Sequence, residues 1–411
     1  MARARTTSIL PALLAASIAA DAQTIAPEDV QAFPTSPIWT IEVSALPLAP
    51  PVSSAGRLYL ALQSGLSARR LADGTEIWQT PLEVDGSMAA SDDRLVVAVK
   101  GELRGLDAST GAVVWADRTG PLTAPPLVHG ESLLVATGEQ VICYRASDGT
   151  RVWSRETGAV EQRPAVDGSR VYVPAADGRL IALELATGEP AWEFDIGIKP
   201  TEPLVYGDRL FVGSAAKQFC SLFLDPGRSE RKDWCYRIGA AVIGRAAADA
   251  THVYFAALDN LLRAHDRRHG AYRWKKDLRY RPSAGPLLVG ASIAVPGSVP
   301  RVEVFETRRG TATIQLTLAT KLATAPLLID PSDGVPPRIA AVTGGLAKVW
   351  TVTVAGPAPP APSSIPIVPL TELPGLEIPI AAPTALRGSS PTAAARLPRF
   401  APALAPRTTA G

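Results

Sequence analysis

Ala108-Ser109-Thr110-Gly111-Ala112-Val113-Val114-Trp115 decides the fold, because its glycine-to-tryptophan interval returns from Gly74 to Trp78, Gly149 to Trp153, Gly188 to Trp192 and Gly270 to Trp274. The rings themselves, Trp39, Trp78, Trp115, Trp153, Trp192, Trp234 and Trp274, recur at a spacing near forty residues. A repeat of roughly forty residues, rich in short strands, is the mark of a β-propeller blade, in which four antiparallel strands form one sheet and the sheets pack radially. The glycine closes a tight hairpin, and the outer strand then starts with a residue whose ring can lie across a neighbour. Burying an indole removes about 150 to 250 Å² from water, an upper estimate of roughly 4 to 6 kcal/mol for each ring. The seven tryptophans are therefore expected to dock blade on blade.

Between the rings lies a second recurring element. Arg57, Arg94, Ser132, Arg170, Arg209, His252, Ser292 and Arg338 each open a run such as Leu58-Tyr59-Leu60-Ala61 or Val171-Tyr172-Val173-Pro174. These eight runs carry apolar groups at successive positions, as a strand buried on both faces requires. Turns such as Asp167-Gly168-Ser169 precede them, where glycine supplies positive φ and aspartate bonds the local backbone. In the seventh repeat Ile314 takes the ring's place, four residues after Gly310.

The outer strands also number eight, but they are offset. The first, residues 38–43, precedes any inner strand, and the last repeat ends near Trp350 without an outer strand of its own. The two ends are expected to complete one blade, so that the N-terminal strand closes the ring and no edge stays unpaired there. The expected fold is an all-β, eight-bladed propeller of four-stranded antiparallel blades over residues 38–354. Trp350 falls out of register with the other rings and is expected to fill core in the third strand of the final blade.

The flanks read differently. Arg3 and Arg5 precede an apolar run over residues 9–20 and the triplet Ala20-Asp21-Ala22, which together predict a secretory signal peptide over residues 1–22, cleaved before Gln23. That run is too short to span a bilayer, for which a helix needs about 20 residues. No cysteine follows the cleavage site, so a lipoprotein anchor is not expected. Residues 23–37 form a lead-in. Residues 355–411 are rich in proline and alanine and read as a mostly disordered tail, although the apolar segment 365–380 leaves open a docked alternative. The chain is expected to be exported to the periplasm as a monomeric wheel without a transmembrane segment.

Charge excludes some partners. The 41 basic and 39 acidic side chains nearly cancel, which gives little of the long-range attraction that nucleic acid demands. Of the four histidines, only His265 and His269 are close, and they flank a hairpin rather than share a helix face, so no metal site is expected. No nucleophile elbow or phosphate-cradling loop is present, and no catalytic residue is assigned. One stretch is locally basic: Arg263, Arg267, Arg268, Arg273, Lys275, Lys276, Arg279 and Arg281 surround Tyr272, Trp274 and Tyr280. Arginine beside aromatic rings is over-represented at protein interfaces, so Arg267, Arg268, Arg273, Lys275, Lys276 and Arg279 are partner-binding candidates; a solvated outer strand is the plainer alternative. Cys220 and Cys235 flank an enlarged hairpin. They either form a disulfide, favoured by an oxidising compartment, or remain two thiols. Cys143 is left over as a small apolar residue.

Ala108-Ser109-Thr110-Gly111-Ala112-Val113-Val114-Trp115 and Ala186-Thr187-Gly188-Glu189-Pro190-Ala191-Trp192 resemble the tryptophan-docking motif of the PQQ-like, or quinoprotein-type, propellers, over residues 38–354. Two branches follow from that resemblance. The pyrroloquinoline-quinone dehydrogenases imply an adjacent cysteine pair over the cofactor and a calcium ion; the three cysteines here are nowhere adjacent. The BamB scaffolds of the outer-membrane barrel-assembly machinery imply a non-enzymatic propeller that binds envelope proteins, including barrel-assembly components, without a cofactor. The chain is closer in character to the second, with a quinone-dependent dehydrogenase or a propeller for an unknown small ligand as the alternative.

Overall fold

The computed structural model describes residues 36–356 apart from 87, 225–226, 228–230, 319, 330–337 and 345–348. The chain divides into two units, residues 1–359 and 360–411. The expected signal peptide, most of the lead-in and nearly all of the tail lie outside the described residues.

Among the described residues thirty-two strands form eight separate four-stranded sheets, each antiparallel throughout, with strand order following the chain from the axis outward in seven of them. Blade 1 holds Val52–Ser54, Arg57–Leu62, Gly65–Arg70 and Glu76–Thr80, and each later blade repeats this scheme. Blade 8 is composite: Leu327–Ile329, Arg338–Gly344 and Trp350–Gly356 come from the C-terminal side, and Ser36–Val43 adds the outer strand. Trp39 pairs with Val354 and Val43 with Trp350. The ring is an eight-bladed β-propeller closed by its N-terminal strand, and Trp350 sits in the third strand of that blade, half-buried against Trp39 and its apolar neighbours.

The apolar runs form the second strand of each blade, not the innermost. Leu58, Tyr59, Leu60 and Ala61 are buried, as are Val253, Tyr254, Phe255 and Ala256. Both faces of these strands meet neighbouring blades, which is why alternation is lost there. The innermost strands are mostly two or three residues long, from Ala165–Val166 in blade 4 to Leu127–His129 in blade 3. Such pieces are too short to show a period, and sequence reading missed them.

At the turn before the second strand, one aspartate serves several donors. Asp167 accepts from the backbone N–H of Ser169 and Arg170 and from the Tyr172 hydroxyl, and Asp249 does the same for Thr251, His252 and Tyr254. Burial of Tyr172 and Tyr254, and then the bond to the carboxylate, push both phenols well above their ordinary value.

Candidate functional site

Among the described residues, six of the seven recurring tryptophans, all but Trp192, use a glycine of the following blade. The Trp39 ring lies against Gly74, Trp78 against Gly111, Trp115 against Gly149, Trp153 against Gly188, Trp234 against Gly270 and Trp274 against Gly310. A Cβ built on any of these glycines would fall within 3.0 Å of the ring, so only glycine lets backbone and indole touch. The indole N–H then donates to the carbonyl three residues before that glycine: Trp39 to Leu71, Trp78 to Ala108, Trp115 to Ala146, Trp153 to Leu185 and Trp274 to Thr307, at 2.8 to 3.1 Å. Blades 4 and 5 differ. The Trp192 and Trp234 N–H groups are buried without a hydrogen-bond partner among the described residues. Trp192 faces Arg231, whose guanidinium lies 5.4 Å from the ring centre.

A bulge precedes every ring position. In all eight outer strands the pairing with the third strand slips at that point, leaving Ile38, Ile77, Val114, Val152, Ala191, Asp233, Arg273 and Thr313 as the extra residues. Bulges twist an exposed edge away from further strand pairing. Their side chains divide the rim in two. Ile38, Ile77, Val114 and Val152, in the consecutive blades 8, 1, 2 and 3, are 41, 40, 49 and 50 % exposed, and Val113 beside them is 50 % exposed. Asp233 pairs instead with Arg209 and Arg273 with Asp266.

The basic stretch of blade 6 is not one patch. Its third strand, Leu261–Asp266, runs toward one end of the wheel and its outer strand, Tyr272–Asp277, returns to the other. Arg267, Arg268 and Arg273 therefore gather at one end, and Lys276, Arg279 and Arg281 at the opposite end. Arg267 is buried, its guanidinium 5.2 Å from the Tyr206 ring and its Nη1 3.6 Å from Asp208 across the blade boundary; it serves as a peg between blades 5 and 6. Arg273 is bound to Asp266 at 2.6 Å, and Lys276 lies beside Gly310 of blade 7. Arg268, Lys275 and Arg279 are exposed.

His265 and His269 part company. His265 is buried among Trp234, Tyr236 and Phe255 with Nδ1 2.9 Å from the Gly270 carbonyl oxygen, and burial lowers its pKa; His269 stands in solvent beside Asp266. Among the described residues no cluster of three or more His, Cys, Asp or Glu side chains is placed to hold a metal ion. Cys220 and Cys235 are cross-strand partners in blade 5 and form a disulfide with Cα atoms 4.1 Å apart. Cys143 is buried in blade 3, and burial pushes its thiol up to about 11.

The axis carries a charged recess of about 190 Å³ that sequence reading missed. Arg163 of blade 4, Glu202 of blade 5 and Arg245 of blade 6 line it with His129 of blade 3, over Leu127, Pro164, Val166, Pro203 and Val205. A signal was present: just before the proline that leads into an inner strand, Pro125 and Ala325 stand in blades 3 and 8 where blades 4 and 5 have Arg163 and Glu202.

A family model described as outer membrane protein assembly factor BamB matches residues 30–129, 63–162 and 99–234. No curated protein sequence matches the chain. Among solved structures, BamB from Moraxella catarrhalis is 24 % identical with a TM-score of 0.62, covering 77 % of this chain and 97 % of its own. A quinohemoprotein alcohol dehydrogenase from Comamonas testosteroni is 13 % identical with a TM-score of 0.62, covering 79 % and 77 %. Sqt1 from Saccharomyces cerevisiae is 11 % identical with a TM-score of 0.63, covering 80 % and 100 %. Likeness to proteins so differently named speaks to the wheel, not to what the wheel does.

Proposed function

Because the chain is a PQQ-like β-propeller close to BamB, we propose that it is a non-enzymatic scaffold that binds other proteins in the cell envelope, with a role in outer-membrane protein assembly. The observation that carries this reading is the aliphatic arc of the rim. Ile38, Ile77, Val114 and Val152 occupy the same bulge position in four successive blades and lie open to solvent, whereas scattered exposed aliphatics would carry no such register. The outer edges of these blades are blunted against further strand addition, so the arc offers apolar contact without inviting fibril growth. Arg268, Lys275 and Arg279 supply exposed positive charge on another sector of the wheel and are the rim's second candidate contact.

The dehydrogenase reading rests on structural likeness alone. The resemblance to that branch implies a cover of two adjacent cysteines over the quinone, and here Cys143 is isolated in blade 3 while Cys220 and Cys235 are consumed by their own bond. The residues present do not fit that group.

A photo-crosslinking amino acid placed in turn at Ile77, Val114 and Val152, in cells that make the protein, tests the scaffold. Adducts with envelope proteins, barrel-assembly components among them, are expected at these positions and not at the same position of blade 7, Thr313. Absence of adducts at all three arc positions overturns the reading.

A further inference from the structure

The innermost strand of blade 6 is irregular at one place, and the irregularity carries a charge. Val242 and Ile243 pair with Ala257 and Ala256, and pairing resumes only at Ala247 with Tyr254, so Gly244, Arg245 and Ala246 stand opposite Phe255 alone. A bulge of this kind re-aims the side chain it carries. Two glycines make room for it. Gly244 has φ +63, and a Cβ there would lie 2.2 Å from the Gly285 nitrogen of blade 7; a Cβ on Gly285 would lie 2.1 Å from the Arg245 carbonyl oxygen. Blades 6 and 7 thus touch backbone to backbone where Arg245 leaves the ladder.

Arg245 ends in the axial recess with Arg163 and Glu202. Glu202 holds it loosely, with Nε to Oε1 at 3.8 Å, beyond hydrogen-bonding reach. The Arg163 Nε is buried and has no partner among the described residues, although a buried donor left unmade is costly and rare in folded proteins. Two guanidinium groups against one carboxylate leave a single fixed positive charge, and beside it the recess is lined by the His129 imidazole and by Leu127, Val166 and Val205.

The geometry points to a binding site for a small monocarboxylate with a short hydrocarbon body. The carboxylate accepts from Arg163 and Arg245 in the charge-assisted manner that arginine favours, and the hydrocarbon lies on Leu127, Val166 and Val205. One net charge suits one carboxylate better than a dianionic phosphate, and the aliphatic side chains of Leu127, Val166 and Val205 suit a hydrocarbon better than a bare ion. This site is on the axial wall, away from the rim, so its fate and that of the scaffold reading are read separately.

Calorimetric titration of the full chain with hexanoate, hexanamide and inorganic phosphate tests it. Hexanoate is expected to bind saturably at one site per chain, with hexanamide silent and phosphate weaker. Arg163→Gln and Arg245→Gln each weaken hexanoate by about tenfold or more, while Arg268→Gln on the rim leaves it unchanged. Val205→Asp, which keeps both arginines and adds a carboxylate to the wall, has the same weakening effect and serves if an arginine variant fails to fold. Hexanoate that never saturates, hexanamide that binds as well, phosphate that binds more tightly, or unaltered affinity in a folded Arg163→Gln protein each overturns the assignment.

Discussion

Gly149 and Gly130 share a left-handed backbone, with φ +72 and +55, but a methyl group on Gly149 would sit 2.5 Å from the Trp115 ring whereas one on Gly130 would meet nothing. Alanine at either position suffers the conformational strain, about 1 to 2 kcal/mol; only at Gly149 does it also prise two blades apart. Gly149→Ala should therefore lower the urea midpoint clearly more than Gly130→Ala, and equal losses would deny the ring its docking role. Trp115→Ala should lose about 3 to 5 kcal/mol and Trp192→Ala less, because Trp192 has neither a docking glycine nor an acceptor for its N–H among the described residues. The interval from glycine to ring was legible in the sequence. Which glycine each ring meets was not, since spacing along one hairpin cannot say that the contact is made by the next.

At the scale of the strand and hairpin, carboxylates in the turns before the outer strands stand out. The Thr75 hydroxyl and N–H hold Asp73 at about 2, the Ser109 and Thr110 hydroxyls hold Asp107 at about 2, and the Thr150 N–H and hydroxyl hold Asp148 at about 2, all from an ordinary 3.8. A carboxyl whose pKa falls on folding stabilises fully above its unfolded value and loses that contribution as pH drops through the folded one. Urea midpoints should thus stay level down to about pH 4 and fall between about pH 4 and 2; a level profile through that window would show that these turns contribute nothing. In blade 5 the disulfide takes a different part, since it ties the third strand to the outer one beneath the enlarged hairpin. Replacing both Cys220 and Cys235 by serine should lose up to about 3 kcal/mol, as for closing a loop of roughly 15 residues, which thermal melts at matched pH would show. Turn chemistry could be read in advance because aspartate, serine and glycine act locally. The inner-strand bulge of Arg245 could not, because it depends on Gly244 meeting Gly285 from another blade.

On the scale of the whole wheel, the offset between eight outer strands and eight buried runs was enough to foresee composite closure, because a ring of like sheets leaves an odd strand only one place to go. The axial recess was hidden for the opposite reason: Arg163, Glu202 and Arg245 are far apart in the chain and meet only once curvature brings three blades together. Deleting residues 36–43 should turn a single cooperative unfolding transition into a broad one and cause association during size-exclusion chromatography, since it bares the third strand of blade 8; a compact, cooperative monomer would show that closure is dispensable. Closure also sets a timetable. Thr40 and Thr353 meet at 3.2 Å although 313 positions separate them. A ribosome adding about 5 to 20 residues per second needs roughly 15 to 60 s to bridge that interval. For all that time the wheel's first strand waits for its partner, and the nascent ring stays open until the eighth blade has been made.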